Sequence, residues 1–332
     1  MKYRNMGKWG VKLSEISIGS MYYGSYIPKE AAHKCLKEAV DQGINYIDSA
    51  DRYGIFDSEL PTEQRTRAEI VLGEFIKDYD RADLVLGSKV WYQFDEANPN
   101  SGGLSRKHIR EGLRTSLKCL GTDYLDIYYC HRPDRDTALE ETILTMSKLI
   151  DQGDINYWGT SWWPPTLVER TIWMAKELGG HPPHVEQPPY HILARFIETN
   201  DEILDIAKAH GMGLATFEAL ATGLFTGKYQ DDVPADSRYG RHASQEIPES
   251  ALEKYRSFIP DLKDVAATLE ITMAQLALAW TLRHKEVTTT IMGASKPDYI
   301  AENAAACEVT LSEDILKQID EIMDNIPRNY YR

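Results

Sequence analysis

The sequence lacks the features that mark membrane, secreted or nucleic-acid-binding proteins. No apolar run approaches the roughly 20 residues that a bilayer span requires, and the segment MKYRNMGKWGVKLSE at the start lacks the apolar stretch of a signal peptide. Basic residues are in the minority, with 37 Lys and Arg against 51 Asp and Glu, so the net charge is −14. Nucleic acid and anionic membranes attract basic surfaces, hence neither is an expected partner. We expect a cytoplasmic protein.

Cysteine is also scarce. The four cysteines are far apart and form no C-x-x-C pair, which predicts reduced, partly buried thiols and neither a disulfide framework nor a zinc site. They are Cys35, Cys119, Cys130 and Cys307. The histidines between residues 181 and 191 lack helical spacing and a nearby cysteine, so no metal site is expected.

Short apolar runs alternate with longer amphipathic stretches along the chain. The runs predict strands at 16–20, 45–48, 84–90, 124–130, 157–160, 184–187, 213–217 and 289–292. The amphipathic stretches predict helices that include 29–42, 106–119, 139–151, 165–178 and 201–210, each followed closely by a glycine. Eight such units favour an α/β fold, the (β/α)₈ TIM barrel, over an open sheet, whose G-x-G-x-x-G fingerprint is missing after the first strand.

Segments outside the alternation complete the expected architecture. Residues 3–6 and 11–13 predict an N-terminal β-hairpin, and residues 312–326 predict an extra C-terminal helix outside the barrel. Three long segments, 54–66, 92–103 and 228–248, follow strands and are expected on the catalytic face of the barrel. We predict one domain that spans residues 1–332.

Four ionisable residues stand at or near the ends of strands. Asp48, Lys89 and His131 close three apolar runs, and Tyr53 follows Asp48 by five residues. Each alone has a structural explanation, but in a barrel the carboxyl ends of the strands converge. A buried lysine would pair with the aspartate and lower the pKa of the phenol, which would make Tyr53 a usable general acid. An alternative is a barrel aldolase or isomerase in which Lys89 forms a Schiff base.

The motifs around these four residues resemble the aldo-keto reductase family. They are Ile47-Asp48-Ser49-Ala50 with Tyr53, Leu86-Gly87-Ser88-Lys89-Val90, and His131. Gly103-Leu104-Ser105-Arg106-Lys107-His108-Ile109, Arg132-Pro133-Asp134 and Tyr157-Trp158-Gly159-Thr160-Ser161 further resemble the branch of voltage-gated potassium channel β-subunits and their microbial relatives.

The resemblance implies a nicotinamide-dependent reductase of aldehydes and ketones in which Tyr53 is the general acid. Lys89 and Asp48 would support the acid, and His131 would orient the substrate carbonyl. The β-subunits usually carry Asn at the position of His131, which favours a reductase over the alternative, a cofactor-loaded redox-sensing regulatory protein with slow turnover. The resemblance also implies a homo-oligomer, tetramer or octamer.

The same resemblance implies the cofactor contacts. Ser161 and Gln187 would bind the nicotinamide amide, Phe217 would stack on its ring, and Lys228 and Arg238 would meet the pyrophosphate. The further expected contacts are Ser20, Met21, Asp48, Trp162, Glu218, Leu220, Ala221 and Thr222, with Gly293, Ser295, Tyr299, Glu302 and Asn303 at the adenosine end.

NADP(H) is the preferred cofactor, with NAD(H) as the alternative. Glu218 puts a carboxylate near the diphosphate, and Tyr299 replaces the Gln or Arg commonly found near the 2′-phosphate, which leaves Lys296 and Ser295 to select NADP. The insertion at 55–67 is expected to line the substrate entrance.

Overall fold

In the part of the chain that the structure describes, eight parallel strands close into a barrel behind a two-stranded antiparallel hairpin. The structure is a computed structural model, and it describes residues 1–54, 67–199, 202–235, 237–241 and 249–324. The hairpin consists of β1 (Tyr3–Asn5) and β2 (Lys12–Ser14). The barrel strands are β3 (Ile16–Gly19), β4 (Tyr46–Asp48), β5 (Val85–Val90), β6 (Leu125–Cys130), β7 (Ile155–Ser161), β8 (Val185–Gln187), β9 (Gly213–Thr216) and β10 (Val287–Met292).

The strands pair in chain order, and β10 returns to pair with β3. These bounds lie within one or two residues of the apolar runs, so the predicted (β/α)₈ barrel with its N-terminal hairpin is confirmed. Seven of the eight strands are buried along almost their whole length, and in β7 the second and third residues, Asn156 and Tyr157, are less buried. Continuous burial explains why these strands read as apolar runs without alternation.

Helices connect the strands and cover the outside of the barrel. They are α1 (Lys29–Asp41), α2 (Arg67–Ile76), α3 (Arg106–Leu120), α4 (Leu139–Gln152), α5 (Pro165–Glu177), α6 (Phe196–Thr199), α7 (Ile203–His210), α8 (Arg238–Arg241), α9 (Glu249–Thr268), α10 (Met273–Thr281), α11 (Pro297–Ala304) and α12 (Glu313–Met323). The Ser105 hydroxyl accepts a hydrogen bond from the His108 amide and so fixes the start of α3. The C-terminal helix α12 packs against α9, outside the strands, as predicted.

The hairpin covers the amino end of the barrel. Met6 and Leu13 are completely buried and join a cluster of side chains inside the barrel. Gly7 allows this close approach, because it has φ +59° and a Cβ atom there would lie 2.3 Å from the Gly211 carbonyl oxygen. The Arg4 guanidinium donates to the Glu15 carboxylate and to carbonyl oxygens near the start of β10. The open end of the barrel is therefore its carboxyl end.

The cysteines agree with one further expectation. Each of the four lies outside any disulfide, and Cys35, Cys130 and Cys307 are buried. Within the described ranges, no helix combines the length and the apolar character needed to cross a membrane.

Candidate active site

The carboxyl ends of β4, β5 and β6 bring four ionisable side chains together. Lys89 Nζ lies 2.6 Å from Asp48 Oδ2, 2.7 Å from the Ser49 carbonyl oxygen and 3.2 Å from the Tyr53 hydroxyl oxygen. The rings of Tyr53 and His131 meet edge to face, with centroids 5.8 Å apart. The three strands are parallel neighbours, so their carboxyl ends share one rim. Residues that are far apart in the sequence thus form one cluster.

Asp48 is the centre of a buried hydrogen-bond network. Its Oδ1 accepts hydrogen bonds from the Tyr46 hydroxyl at 3.0 Å and from Gln187 Nε2 at 2.9 Å, while its Oδ2 pairs with Lys89. The Tyr46 hydroxyl is in turn 3.1 Å from the Tyr129 hydroxyl. The Lys89 side chain is completely buried and held by the three contacts given above. This arrangement disfavours the Schiff-base alternative, which needs an unprotonated amine that can turn toward a carbonyl carbon.

The pKa of Tyr53 is the point where the sequence-based expectation was wrong. Burial and the Asp48 carboxylate raise the pKa of Tyr53 well above its usual value of 10.0, and the Arg132 guanidinium opposes them only in part. Any lowering by the Lys89 ammonium, 3.2 Å from the phenol oxygen, is outweighed by these effects. Burial also lowers the pKa of Lys89, against the effect of Asp48. Tyr53 is therefore protonated at neutral pH, which is the state that a general acid requires.

His131 is an uncharged imidazole at neutral pH. Burial lowers its pKa well below the usual 6.5, and the positive charges of Lys89, Arg132 and Arg52 act in the same direction. Its Nδ1 is buried and makes no hydrogen bond with the residues that the structure describes. A neutral imidazole has one N–H donor, so His131 can offer one hydrogen bond to an uncharged oxygen in the cleft.

Three further carboxyl groups are buried near these residues. Burial raises the pKa of Glu69 to about 7 and that of Glu186 to about 7. Glu186 accepts hydrogen bonds from the Thr160 hydroxyl and the Trp163 amide. Burial and the neighbouring Glu69 raise the pKa of Asp51 well above its usual 3.8. Among the described residues no group of three or more His, Cys, Asp or Glu side chains could hold a metal ion.

A cleft of about 990 Å³ opens at the carboxyl end of the barrel. Most of the residues that the sequence analysis assigned to catalysis or to the cofactor line this cleft. They are Met21, Asp48, Tyr53, His131, Ser161, Trp162, Gln187, Phe217, Glu218, Leu220, Thr222, Lys228, Gly293, Ser295, Tyr299, Glu302 and Asn303. The loops after the strands therefore bring residues from position 21 to position 303 to one surface.

Three assigned residues that the structure describes are not part of this lining. Lys89 lies beneath Asp48 and Tyr53, Ser20 is buried with its hydroxyl donating to the Ser49 hydroxyl, and Ala221 is buried. The side chain of Arg238, which begins α8, is outside the part of the chain that the structure describes. The expected entrance insertion at 55–67 also lies outside it, apart from Arg67, which begins α2.

Two aromatic rings form one wall of the cleft. Trp162 is 48% exposed, and its ring meets that of Phe217 at a centroid distance of 6.2 Å. The Trp162 amide and the Ser161 hydroxyl both donate to the Gln187 carbonyl oxygen, at 3.1 Å each. These bonds hold the end of β7 against the end of β8.

The segment after β9 has an unusual backbone. Glu218, Ala221 and Thr222 have φ values of 63°, 45° and 57°, in the left-handed region that non-glycine residues rarely occupy. The Thr222 hydroxyl is hydrogen-bonded to the Tyr239 hydroxyl. Non-glycine residues in this region cost about 1 to 3 kcal/mol each and cluster at ligand sites. Glu218 and Thr222 also line the cleft, so this strained backbone lies at the candidate site.

Three further lining residues had no assigned role. Arg52, Tyr92 and Arg132 line the cleft close to His131. Arg52 directly precedes Tyr53, and Arg132 directly follows His131. This adjacency is the sequence signal that could have identified the two arginines.

Comparisons with known proteins agree with this geometry. The model of the Aldo/keto reductase family matches residues 15–324. A protein of Arabidopsis thaliana is 36% identical over 340 residues, with 99% of this chain and 98% of the relative covered, and one of Oryza sativa subsp. japonica is 35% identical over 339 residues with the same coverage. Both bear the name "Probable voltage-gated potassium channel subunit beta".

A third relative comes from Schizosaccharomyces pombe. It is 37% identical over 336 residues, with 98% of this chain and 94% of the relative covered, and it is named "Putative voltage-gated potassium channel subunit beta". The family model covers nearly the whole chain, including all eight barrel strands. The chain belongs to the aldo/keto reductase family.

Proposed function

We propose that this protein reduces aldehydes or ketones to alcohols with a reduced nicotinamide cofactor, NADPH in preference to NADH. The observation that carries the proposal is a protonated phenol, Tyr53, placed 3.2 Å from a buried ammonium, Lys89, at the floor of a large cleft. Membership of the aldo/keto reductase family supports the same class of reaction.

Tyr53 is proposed to give its hydroxyl proton to the carbonyl oxygen of the substrate. As the proton leaves, a phenolate forms beside the Lys89 ammonium, which stabilises the negative charge. Asp48 holds that ammonium at 2.6 Å, so that it cannot turn away from the phenol. The reduced nicotinamide supplies the hydride for the carbonyl carbon. Tyr53 thus supplies the proton, and Lys89, held by Asp48, stabilises the negative charge that is left on the phenolate.

His131 is proposed to position the carbonyl group. It lies beside Tyr53 and lines the same cleft, so one N–H of its neutral ring can bond to the oxygen that Tyr53 protonates. A charged imidazolium could compete with Tyr53 as the proton donor, and the depressed pKa of His131 removes that competition. His131 would therefore bind and orient the substrate while Tyr53 transfers the proton.

The donors of the cleft fit an extended dinucleotide. Trp162 and Phe217 offer aromatic faces, and Gln187 offers an amide at the same end. Lys228 is a cation for the diphosphate. Ser295 lies before the amino end of α11, where backbone N–H groups and the helix dipole favour a phosphate, and this supports the preference for NADPH.

The first test is a fluorescence titration with NADPH and, separately, NADH, followed by turnover measurements with Tyr53→Phe. Removal of the acid should lower kcat by about 100- to 10,000-fold, the usual value of general acid catalysis, and should change the cofactor Kd by less than a few fold. Tyr124→Phe is the matched control, because Tyr124 precedes β6 at the other end of the barrel. Equal turnover of Tyr53→Phe and the unmodified protein would refute the proposal.

The names of the relatives favour a second candidate, a cofactor-loaded regulatory subunit with slow turnover. It would show stoichiometric capture of a partner protein together with negligible turnover of good aldehydes. Size-exclusion chromatography with light scattering would test the tetramer or octamer that this candidate entails.

A further inference from the structure

Two arginines lie on either side of the proposed reaction centre. Arg52 is in the loop after β4 and Arg132 in the loop after β6, and both line the cleft. Because β5, with Lys89, separates β4 from β6, the two side chains approach the centre from opposite sides. Neither position has a role in the proton transfer described above.

Each guanidinium lies over an aromatic ring of the cleft. Arg52 is 4.7 Å from the centroid of Tyr92, and Arg132 is 4.9 Å from the centroid of Trp162. The Tyr92 ring meets the His131 ring at 5.1 Å, so the two stacked pairs are connected through His131. A guanidinium that stacks through its face keeps its edge, with the N–H donors, for another ligand.

Within the described ranges, neither guanidinium forms an ion pair with a carboxylate. Arg132 uses one N–H group to bond the His131 carbonyl oxygen at 2.7 Å. The charges of the acids next to them are opposed: Asp48 pairs with Lys89, and burial disfavours the charged form of Asp51 by raising its pKa well above the usual value. Among the described residues, this end of the cleft is therefore positive, although the chain as a whole has a net charge of −14.

The two glutamates of the described lining lie on other elements. Glu218 follows β9, and Glu302 lies on α11 after β10, where the residues proposed for the cofactor are also found. Of the Lys and Arg residues in the described lining, Arg52 and Arg132 lie where the substrate would sit, and Lys228 lies on the cofactor side. Positive charge in a cleft attracts anions and raises their local concentration.

We propose that the substrate of this site is an anionic carbonyl compound, in which a carboxylate or phosphate is joined to the reacting carbonyl by a short spacer. The inference rests on the proposed reductase function and names its substrate class. Tyr53 and His131 would hold the carbonyl oxygen, and Arg52 and Arg132 would hold the anion. The planar fork of a guanidinium matches the two oxygens of a carboxylate or phosphate, which explains two arginines at these positions.

The experiment compares matched pairs of aldehydes that differ only in charge. The pairs are succinic semialdehyde with butanal, 4-carboxybenzaldehyde with benzaldehyde, and glyceraldehyde 3-phosphate with glyceraldehyde. We expect kcat/KM to be at least about tenfold higher for the anionic member of a pair, since hydrogen bonds to charged groups contribute about 1.5 to 3 kcal/mol. The KM of the anionic member should rise with ionic strength.

Variants then assign the effect to the two arginines. In Arg52→Gln and Arg132→Gln the ratio of kcat/KM between the anionic and neutral members should fall about tenfold or more. Arg132→Lys should keep a larger part of the ratio than Arg132→Gln, because lysine retains the positive charge and loses only the planar fork of N–H donors. Arg135→Gln is the control, because Arg135 is exposed in the same loop but does not line the cleft. It should leave the ratio unchanged.

The outcomes separate this inference from the proposed function. Turnover of both members with equal kcat/KM, or an unchanged ratio in both glutamine variants, overturns the anionic substrate and leaves the reductase intact. These variants could also lose NADPH affinity to an extent that accounts for the whole kinetic change. That result would assign the arginines to the cofactor and would also overturn the anionic substrate. Absence of both nicotinamide binding and turnover refutes the reductase itself.

Discussion

Glu186 should make the stability of this protein fall as the pH rises, and Glu186→Gln should remove that effect. Glu186 is 1% exposed in β8, between hydrogen bonds from the Thr160 hydroxyl and the Trp163 amide. A glutamine of the same shape can accept from the Trp163 amide and donate to the Thr160 oxygen. The substitution therefore keeps the packing and removes only the ionisation.

The magnitude follows from the pKa of Glu186. Burial raises it from 4.5 to about 7, which corresponds to about 3 kcal/mol because one pKa unit is worth about 1.4 kcal/mol. The unfolded chain loses this proton near its ordinary pKa, whereas the folded chain retains it until about 7. Between these values the folded state binds more protons, so the free energy of unfolding decreases as the pH rises. Relative to Glu186→Gln, the unmodified protein should lose about 2 to 3 kcal/mol between about pH 5 and about pH 8.5.

Chemical denaturation followed by tryptophan fluorescence and circular dichroism measures this difference at each pH. The other titrating groups contribute equally to both proteins and cancel in the comparison. Glu177→Gln, at the exposed end of α5, is the control and should follow the unmodified protein at every pH. If the curves of Glu186→Gln and the unmodified protein run parallel from acid to alkaline pH, the burial argument is refuted.

Two further substitutions test the ion pair of Asp48 with Lys89 and the packing of the N-terminal hairpin against the barrel. Asp48→Asn leaves the Lys89 ammonium buried without its partner, so the free energy of unfolding should fall by about 3 to 5 kcal/mol, which denaturation of the variant would measure. Gly7→Ala should lower the melting temperature by several degrees, equivalent to at least about 1 kcal/mol, because its Cβ would meet the Gly211 carbonyl oxygen at 2.3 Å. Gly10→Ala should leave the melting temperature unchanged, because its Cβ would meet nothing within 4 Å. Equal melting temperatures for the two alanine variants would contradict the packing described for the hairpin.

The fold could be predicted from the sequence because local signals and topology agree. Apolar runs mark the strands, and glycines in the left-handed conformation end α3, α4 and α7, at Gly121, Gly153 and Gly211. Once the eight units form a barrel, the ends of its strands must meet, so the proximity of Asp48, Lys89 and His131 follows from topology alone.

Other features of the site depend on contacts that no local pattern reports. The direction of the pKa shift of Tyr53 is set by burial and by the Asp48 carboxylate, and both act on the phenol only in the folded chain. The orientation of Arg132 follows from the position of Trp162, whose φ of 54° gives no signal in the sequence. Glu218 likewise takes a left-handed backbone without glycine, so the shape of its segment could not be foreseen.

The contacts of Arg4 couple the folding of the barrel to the timing of its synthesis. The guanidinium bonds to three carbonyl oxygens that lie 278 to 283 residues further along the chain. Ribosomes add about 5 to 20 residues per second, so the first hairpin waits at least about ten seconds for these partners. During that interval Met6 and Leu13 have no closed barrel to enter, and their apolar surface is open to chaperones. The hairpin is thus made well before the carbonyl groups that Arg4 binds, and it reaches its final place only after them.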